Sequence, residues 1–372
     1  MSKFKVCVYA IAKNEEKFVE RWYDSMKEAD IVIVGDTGSN DATVSKLEEL
    51  GVIVYKISIN PWRFDTARNT VLNLIPSDVD ICVSTDLDEV FEPGWIGHLE
   101  SEWTSNLTRI NFNYVWKFNE DGSPNVQFLR EKIHSRKDYI WEHPVHEVLK
   151  YVGGNLERVL YNANVRLNHY PDDSKPRTQY LKLLEKSVHE NPEDDRNIHY
   201  LGREYMYYEM WQECVDTLTK HLSIDKAWDR EKSASARFIS RAYKAMNKNQ
   251  LAKKWLYRAI SECQYCREAY VEFAQFAFES CDWETVIYMI NQALKIKEPD
   301  LSYITEMSCW NHVPYDLKSI ACYHLGMLTE SLECAALAID SNKDKDQTKR
   351  LENNFDLIMK KIQEEQNKYY WR

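Results

Sequence analysis

No part of the 372-residue sequence approaches the roughly 18 consecutive apolar residues of a membrane-spanning helix. The apolar run inside MSKFKVCVYAIAKNEE is about eight residues, too short for a secretory leader, so a cytoplasmic location is expected. Basic charge is in deficit, with 48 Lys and Arg against 59 Asp and Glu and a formal charge of -11, which disfavours a nucleic-acid partner without a local basic patch. A disulfide framework is also missing: nine cysteines, an odd number, run from Cys7 to Cys334 without repeating spacing, as expected of reduced thiols. Cys263-x-x-Cys266 has zinc-like spacing but no second CxxC or HxxxH pair accompanies it.

What is present is a folded chain of 44% hydrophobic and 29% charged residues, long enough for two domains. In the first 90 residues, KVCVYAIA (5–12), DIVIVGD (30–36), VIVYKI (52–57) and DICVSTD (80–86) read as buried strands. Between them, residues 15–27, 41–50 and 64–74 carry apolar residues at helical spacing. This alternation predicts βαβ units, a mainly parallel sheet with helices on both faces, and ligand binding beyond the carboxyl ends of the strands. From residue 107 the period shortens to two in LTRINFNYVWKF, with β-like runs near 126–133 and 165–170. YPDDSKPRT (170–178) reads as a boundary, giving domains 1–173 and 174–372. Beyond it, helical hairpins recur every 33–45 residues, at 200–222, 238–260, 270–294 and 319–339, with SYITEMSCWNHVPYD as an interruption. This pattern resembles degenerate tetratricopeptide repeats, with a generic helical bundle as the alternative.

The sharpest chemical signal is Thr85-Asp86-Leu87-Asp88-Glu89 at a strand end, where carboxylates at i and i+2 suit a hard divalent cation that keeps positions open for phosphate. A second cluster comprises Arg130, His134, Arg136, then Glu142, His143, His146 and Glu147 in WEHPVHE, and His169 in RLNHYP. Arg68 and Asn69 in FDTARN face the same strand ends, where the guanidinium would meet diphosphate or brace carboxylates, pairing with Asp65 or Asp86. Ser39 or Asn40 reads more simply as a helix cap than as a ligand.

Taken in order, IAKNEEKFVERWYDSM, IVIVGDTGSNDATVSKLEELGV, PWRFDTARNTVLNLI and DICVSTDLDEVFEPGW resemble family 2 glycosyltransferases of the GT-A fold over about residues 4–97. The QxxRW motif and membrane helices of processive synthases are absent, and Lys13-Asn14-Glu15-Glu16 stands where a sugar nucleotidyltransferase has a Gly-rich loop. With the helical repeats, the chain is similar to the non-processive branch that includes bacteriocin peptide S-glycosyltransferases.

The resemblance implies a GT-A domain followed by an all-α repeat domain, a Mn2+ or Mg2+ cofactor, and a nucleoside-diphosphate sugar, uridine-linked, as donor. It places Ala12, Asn14, Glu15, Asp36, Gly38, Arg68, Asp86 and Arg130 around the donor, and Asp88 with His169 or His146 on the metal. An inverting transfer needs a general base, for which Glu147 is preferred over Glu89. The repeats favour a peptide or protein acceptor, with a glycan or envelope precursor next and phage DNA disfavoured by charge, and they allow a dimer. The alternatives from other classes are a scaffold with an inactive GT-A domain and a nucleotidyltransferase.

Overall fold

The computed structural model describes residues 4–172 and 178–370. It divides into two compact units, one of residues 1–117 and 128–192 and the other of residues 118–127 and 193–372. The junction expected between residues 173 and 174 lies outside the described residues.

In the first unit, β1 (Val6–Ala12), α1 (Val19–Met26), β2 (Ile31–Asp36), α2 (Thr43–Glu49), β3 (Ile53–Lys56), α3 (Phe64–Leu74) and β4 (Ile81–Thr85) follow the expected alternation. β1 pairs in parallel with β2 and β4, and β2 with β3. Successive β1 residues enter opposite cores: Val6, Val8 and Ala10 pack with Trp22, Met26 and Leu47, while Cys7 and Tyr9 pack with Val71 and Leu72 of α3. Coverage of both faces explains why β1 reads as a continuous apolar run. β3 is not buried as expected. It is the sheet edge, with Ile53 and Tyr55 exposed.

Gly35 in β2 permits this packing, because a Cβ there would lie 2.3 Å from Val71 Cγ2 of α3.

The chain then adds β5 (Glu89–Phe91), α4 (Trp95–Glu102), β6 (Arg109–Phe118), β7 (Pro124–Ser135), β8 (Tyr139–Glu142), β9 (Val148–Tyr151), β10 (Val159–His169) and α5 (Thr178–Glu190). The strand order is β3-β2-β1-β4-β7-β6-β10-β5, with β8 and β9 forming a separate antiparallel pair. β4 and β5 stand four spacings apart, about 19 Å in a flat sheet. The chain from Thr85 to Glu89 spans at most about 14 Å, so the sheet must curl. That curl brings Glu89, at the start of β5, back to the carboxyl end of β4. Opposite it in register is His169, the last residue of β10.

α5 belongs to the first unit, where Glu190 takes two hydrogen bonds from Arg63 (3.0 and 2.8 Å) and Tyr180 stacks on Phe64.

In the second unit, helices follow one another in packed pairs: α6 (Asp195–Tyr207) with α7 (Trp211–Leu222), α8 (Asp229–Ala245) with α9 (Asn249–Glu262), α10 (Arg267–Glu279) with α11 (Trp283–Ala293), and α12 (His312–His324) with α13 (Leu328–Asp340). A long α14 (Lys345–Tyr370) follows. The interruption is β11 (Thr305–Glu306) and a 3-10 turn (Met307–Trp310), with β11 pairing with Val126 and Gln127. Cys263 and Cys266 form a disulfide across the α9–α10 turn, which corrects the expectation of uniformly reduced thiols; the other seven cysteines are free. Among the described residues no helix is long and apolar enough to cross a membrane.

Candidate active site

At the carboxyl ends of β1 and β2, two loops are joined by hydrogen bonds. The backbone N–H groups of Asn14 and Glu15 donate to Ser39 Oγ (2.9 Å) and Thr43 Oγ1 (2.7 Å), and Asn14 Oδ1 accepts from Asn40 N–H (2.8 Å). The Ala12 carbonyl accepts from Thr37 N–H (2.9 Å). Asp36, buried at the end of β2, accepts from the N–H groups of Gly38 and Ser39, and Gly38 has φ +103°. Neither Ser39 nor Asn40 caps α2. Its N-cap is Ala42, and Asp41 instead accepts from Thr43 N–H and Oγ1 while Ser39 serves the neighbouring loop.

Across the sheet, Arg68 of α3 is buried at 4% exposure. Its Nη2 donates to Asp86 Oδ1 (2.6 Å), Nε to Glu147 Oε1 (2.5 Å) and Nη1 to Ser84 Oγ (3.3 Å), with the guanidinium over the Trp141 ring. Asp65, the other partner considered, pairs with Arg63. Burial opposes charge on both groups of the Arg68–Asp86 pair. The neighbouring cations Arg68 and Lys132 nevertheless hold the Asp86 carboxyl well below the usual range, and Asp86 with Glu147 keeps the Arg68 guanidinium above its ordinary value.

Lys132 of β7, which the sequence did not mark out, donates from Nζ to Asp86 Oδ2 (3.0 Å) and to both oxygens of Glu89 (3.2 and 3.3 Å). Glu89 also accepts from the Tyr114 hydroxyl (2.9 Å) and Asp86 N–H (2.9 Å). Arg130 lies two residues from Lys132 on β7, with its guanidinium 4.9 Å from the Tyr114 ring centre.

Asp88 faces His169, with Oδ2 3.3 Å from Nε2, and its carbonyl accepts from Tyr170 N–H (2.8 Å). The His169 ring stacks on Trp116 at 4.3 Å, and Nδ1 sits 3.2 Å from the Trp116 carbonyl. Burial disfavours the imidazolium, but the Asp88 hydrogen bond and charge outweigh it and raise the His169 pKa. With Nδ1 on a carbonyl, Nε2 is the nitrogen turned to the carboxylate, the arrangement that orients an imidazole for a metal. The pair therefore fits a divalent cation with two protein ligands, although no group of three or more potential ligands occurs among the described residues. His146, in the left-handed region at φ +51°, lies against Tyr180, and the contact with Asp88 belongs to His169.

Two members of the second cluster are structural. His134 is fully buried; Nε2 lies 2.9 Å from the Tyr9 hydroxyl, which also accepts from Trp141 Nε1, and burial lowers the imidazole pKa to about 3. Arg136 donates to the Ile75 carbonyl.

Residues 7–149 match the family described as Glycosyl transferase family 2. No curated protein matches the chain. Solved structures similar to it include MamA (17% identity, 46% of this chain and 95% of that one, TM-score 0.36). YrrB, described as a TPR protein with an unusual peptide-binding site, is similar at 14% identity (47% and 83%, TM-score 0.36). A thermophilic TPR protein of Thermus thermophilus is similar at 15% identity (47% and 88%, TM-score 0.34). This match over residues 7–149, together with strand-end carboxylates carried on a curled, mostly parallel sheet, makes the chain a glycosyltransferase that draws on a nucleotide-sugar donor.

Proposed function

We propose that this enzyme passes a sugar from a uridine-diphosphate sugar to a polypeptide acceptor by a single inverting displacement that depends on Mn2+ or Mg2+. The observation that carries the reading is the pairing of Asp88 with His169 at the carboxyl end of the sheet, the same end at which β2 delivers Asp36. Asp36, Gly38, Ala12, Asn14 and Glu15 frame the nucleoside. Asp88 and His169 are the residues that would hold the ion. When bound, the ion stabilises the charge gathering on the departing diphosphate. Arg130 meets the same charge from the rim of the site.

Of the two carboxylates considered as base, Glu89 has both oxygens engaged by Lys132, Tyr114 and Asp86 N–H, which suits a structural role. Glu147 is held through Oε1 by Arg68 and takes the acceptor proton. The helical unit supplies the acceptor surface. Within it a groove of about 480 Å³ is lined by Arg241, Lys244, Glu272, Gln275 and Phe276, a mixture of both charges, amide and aromatic that suits an extended peptide.

The test is to incubate the full chain with Mn2+ and a panel of nucleotide sugars and to assay the released phosphate species. Nucleoside diphosphate release from a uridine-linked sugar is expected, accelerated by a peptide acceptor. Pyrophosphate release, or no release from any donor, contradicts the reading.

A further inference from the structure

Three carboxylate oxygens, Asp86 Oδ2 and both oxygens of Glu89, converge on one point, and Lys132 Nζ occupies it at 3.0–3.3 Å. Such an oxygen set is what a hard divalent cation takes, at slightly shorter distances. Each element fixes its own part. β4 delivers Asp86 at its end, the curl of the sheet brings Glu89 back beside it, and β7, antiparallel to β4, carries Lys132 just past the Val83–Ile133 pair, from where its side chain reaches forward to Asp86. The lysine side chain is 5% exposed and Glu89 1%, so neither charge is solvated and each depends on the other. The Tyr114 hydroxyl and Asp86 N–H complete the shell around Glu89.

We propose that Lys132 is a positioning residue acting as a resident cation. It fills the position between Asp86 and Glu89 that would otherwise bind a metal ion, and so separates the tasks of the two aspartates. Asp86 is locked between Lys132 and Arg68 and takes no ion, while Asp88, outside this cluster, is left free to hold one with His169. Because the three Nζ contacts all go to protein oxygens, Lys132 orders the carboxylates and does not bind the donor itself. The inference rests on the proposed donor site in using the same carboxylates, but not on the wild-type enzyme needing metal.

The experiment counts Mn2+ ions bound per full-length chain, by calorimetric titration and by electron paramagnetic resonance of free Mn2+, with Mn2+ alone as probe. Lys132→Met, close in shape but neutral, should bind one ion more than wild type, and Lys132→Arg, which keeps the charge, should show the wild-type count. Donor hydrolysis should fall at least tenfold in Lys132→Met and recover in part in Lys132→Arg. If Lys132→Met is unfolded in metal-free buffer, millimolar Mn2+ should restore cooperative unfolding. A folded Lys132→Met with the wild-type ion count, or an unfolded one that Mn2+ does not restore, overturns the proposal. Wild-type protein that binds no Mn2+ contradicts the metal-dependent donor site instead, and an ion gained by Lys132→Met then still supports the role of Lys132.

Discussion

Replacing Arg68 by methionine tests how the carboxylate cluster is held together. The side chain keeps its apolar stem against Trp141 but loses the fork that reaches Asp86 at 2.6 Å, Glu147 at 2.5 Å and Ser84 at 3.3 Å. Three carboxylates, Asp86, Glu89 and Glu147, then share Lys132, whose contacts reach only the first two. Glu147, 12% exposed, is left without its guanidinium in a place water reaches poorly. Removing one partner of a buried ion pair costs about 3–5 kcal/mol, whereas an exposed pair costs under about 1. Arg68 is 5% exposed, so the larger figure applies. For a unit of this size the cost corresponds to a fall in Tm of roughly 6–20 °C.

The assay is thermal and urea unfolding of the full chain, reading the transition of the first unit. Arg68→Lys, which keeps the charge without the fork, should recover part of the loss. Neutralising Asp86 in the Arg68→Met background should cost less than in the wild type, since the two side chains are coupled. An Arg68→Met protein within about 1 kcal/mol of wild type would show that the cluster is solvated and that the account of its charges is wrong.

Three further outcomes are expected. His134 has a folded pKa of about 3 against 6.5 for a free imidazole, so the unfolded chain binds the extra proton between those values, and stability should fall as pH drops below 6.5. Its share is about 1.4 kcal/mol per pH unit, and urea titrations of His134→Gln from pH 7 to pH 4 should lose that slope. Gly35→Ala sets a Cβ 2.3 Å from Val71 Cγ2 and should cost about 1–3 kcal/mol by denaturant unfolding, with a co-introduced Val71→Ala relieving it. Glu147→Gln should lower turnover about 10²–10⁴-fold with donor affinity near wild type, and normal turnover would move the base elsewhere.

The βαβ frame was legible because strands covered on both faces leave apolar runs that pattern alone reveals, as β1 and β4 do. β3 broke that rule because position in the sheet, not composition, makes it an edge. β5 is three residues long and has no period to detect, yet it places Glu89 and, through its pairing, His169. The Arg68–Asp86 pair was legible as one of two pairings the sequence offered for Arg68, and the structure selects it over Asp65. Lys132 was not, since a lysine between Glu131 and Ile133 in an alternating strand reads as solvent-facing, and only the curl of the sheet buries it. His134 misled in the opposite direction, because a histidine near other histidines looks chemical while its partners Tyr9 and Trp141 are distant in sequence.

The central claim is that Asp88 and His169 bind the donor through a divalent ion. Calorimetric titration of uridine-diphosphate sugar into the full chain, with and without Mn2+, tests it most directly. Wild type should bind far more tightly with Mn2+, and Asp88→Ala and His169→Ala, measured as folded proteins, should each lose that gain at least tenfold. Equal donor affinity in wild type and both variants with Mn2+ present would contradict it.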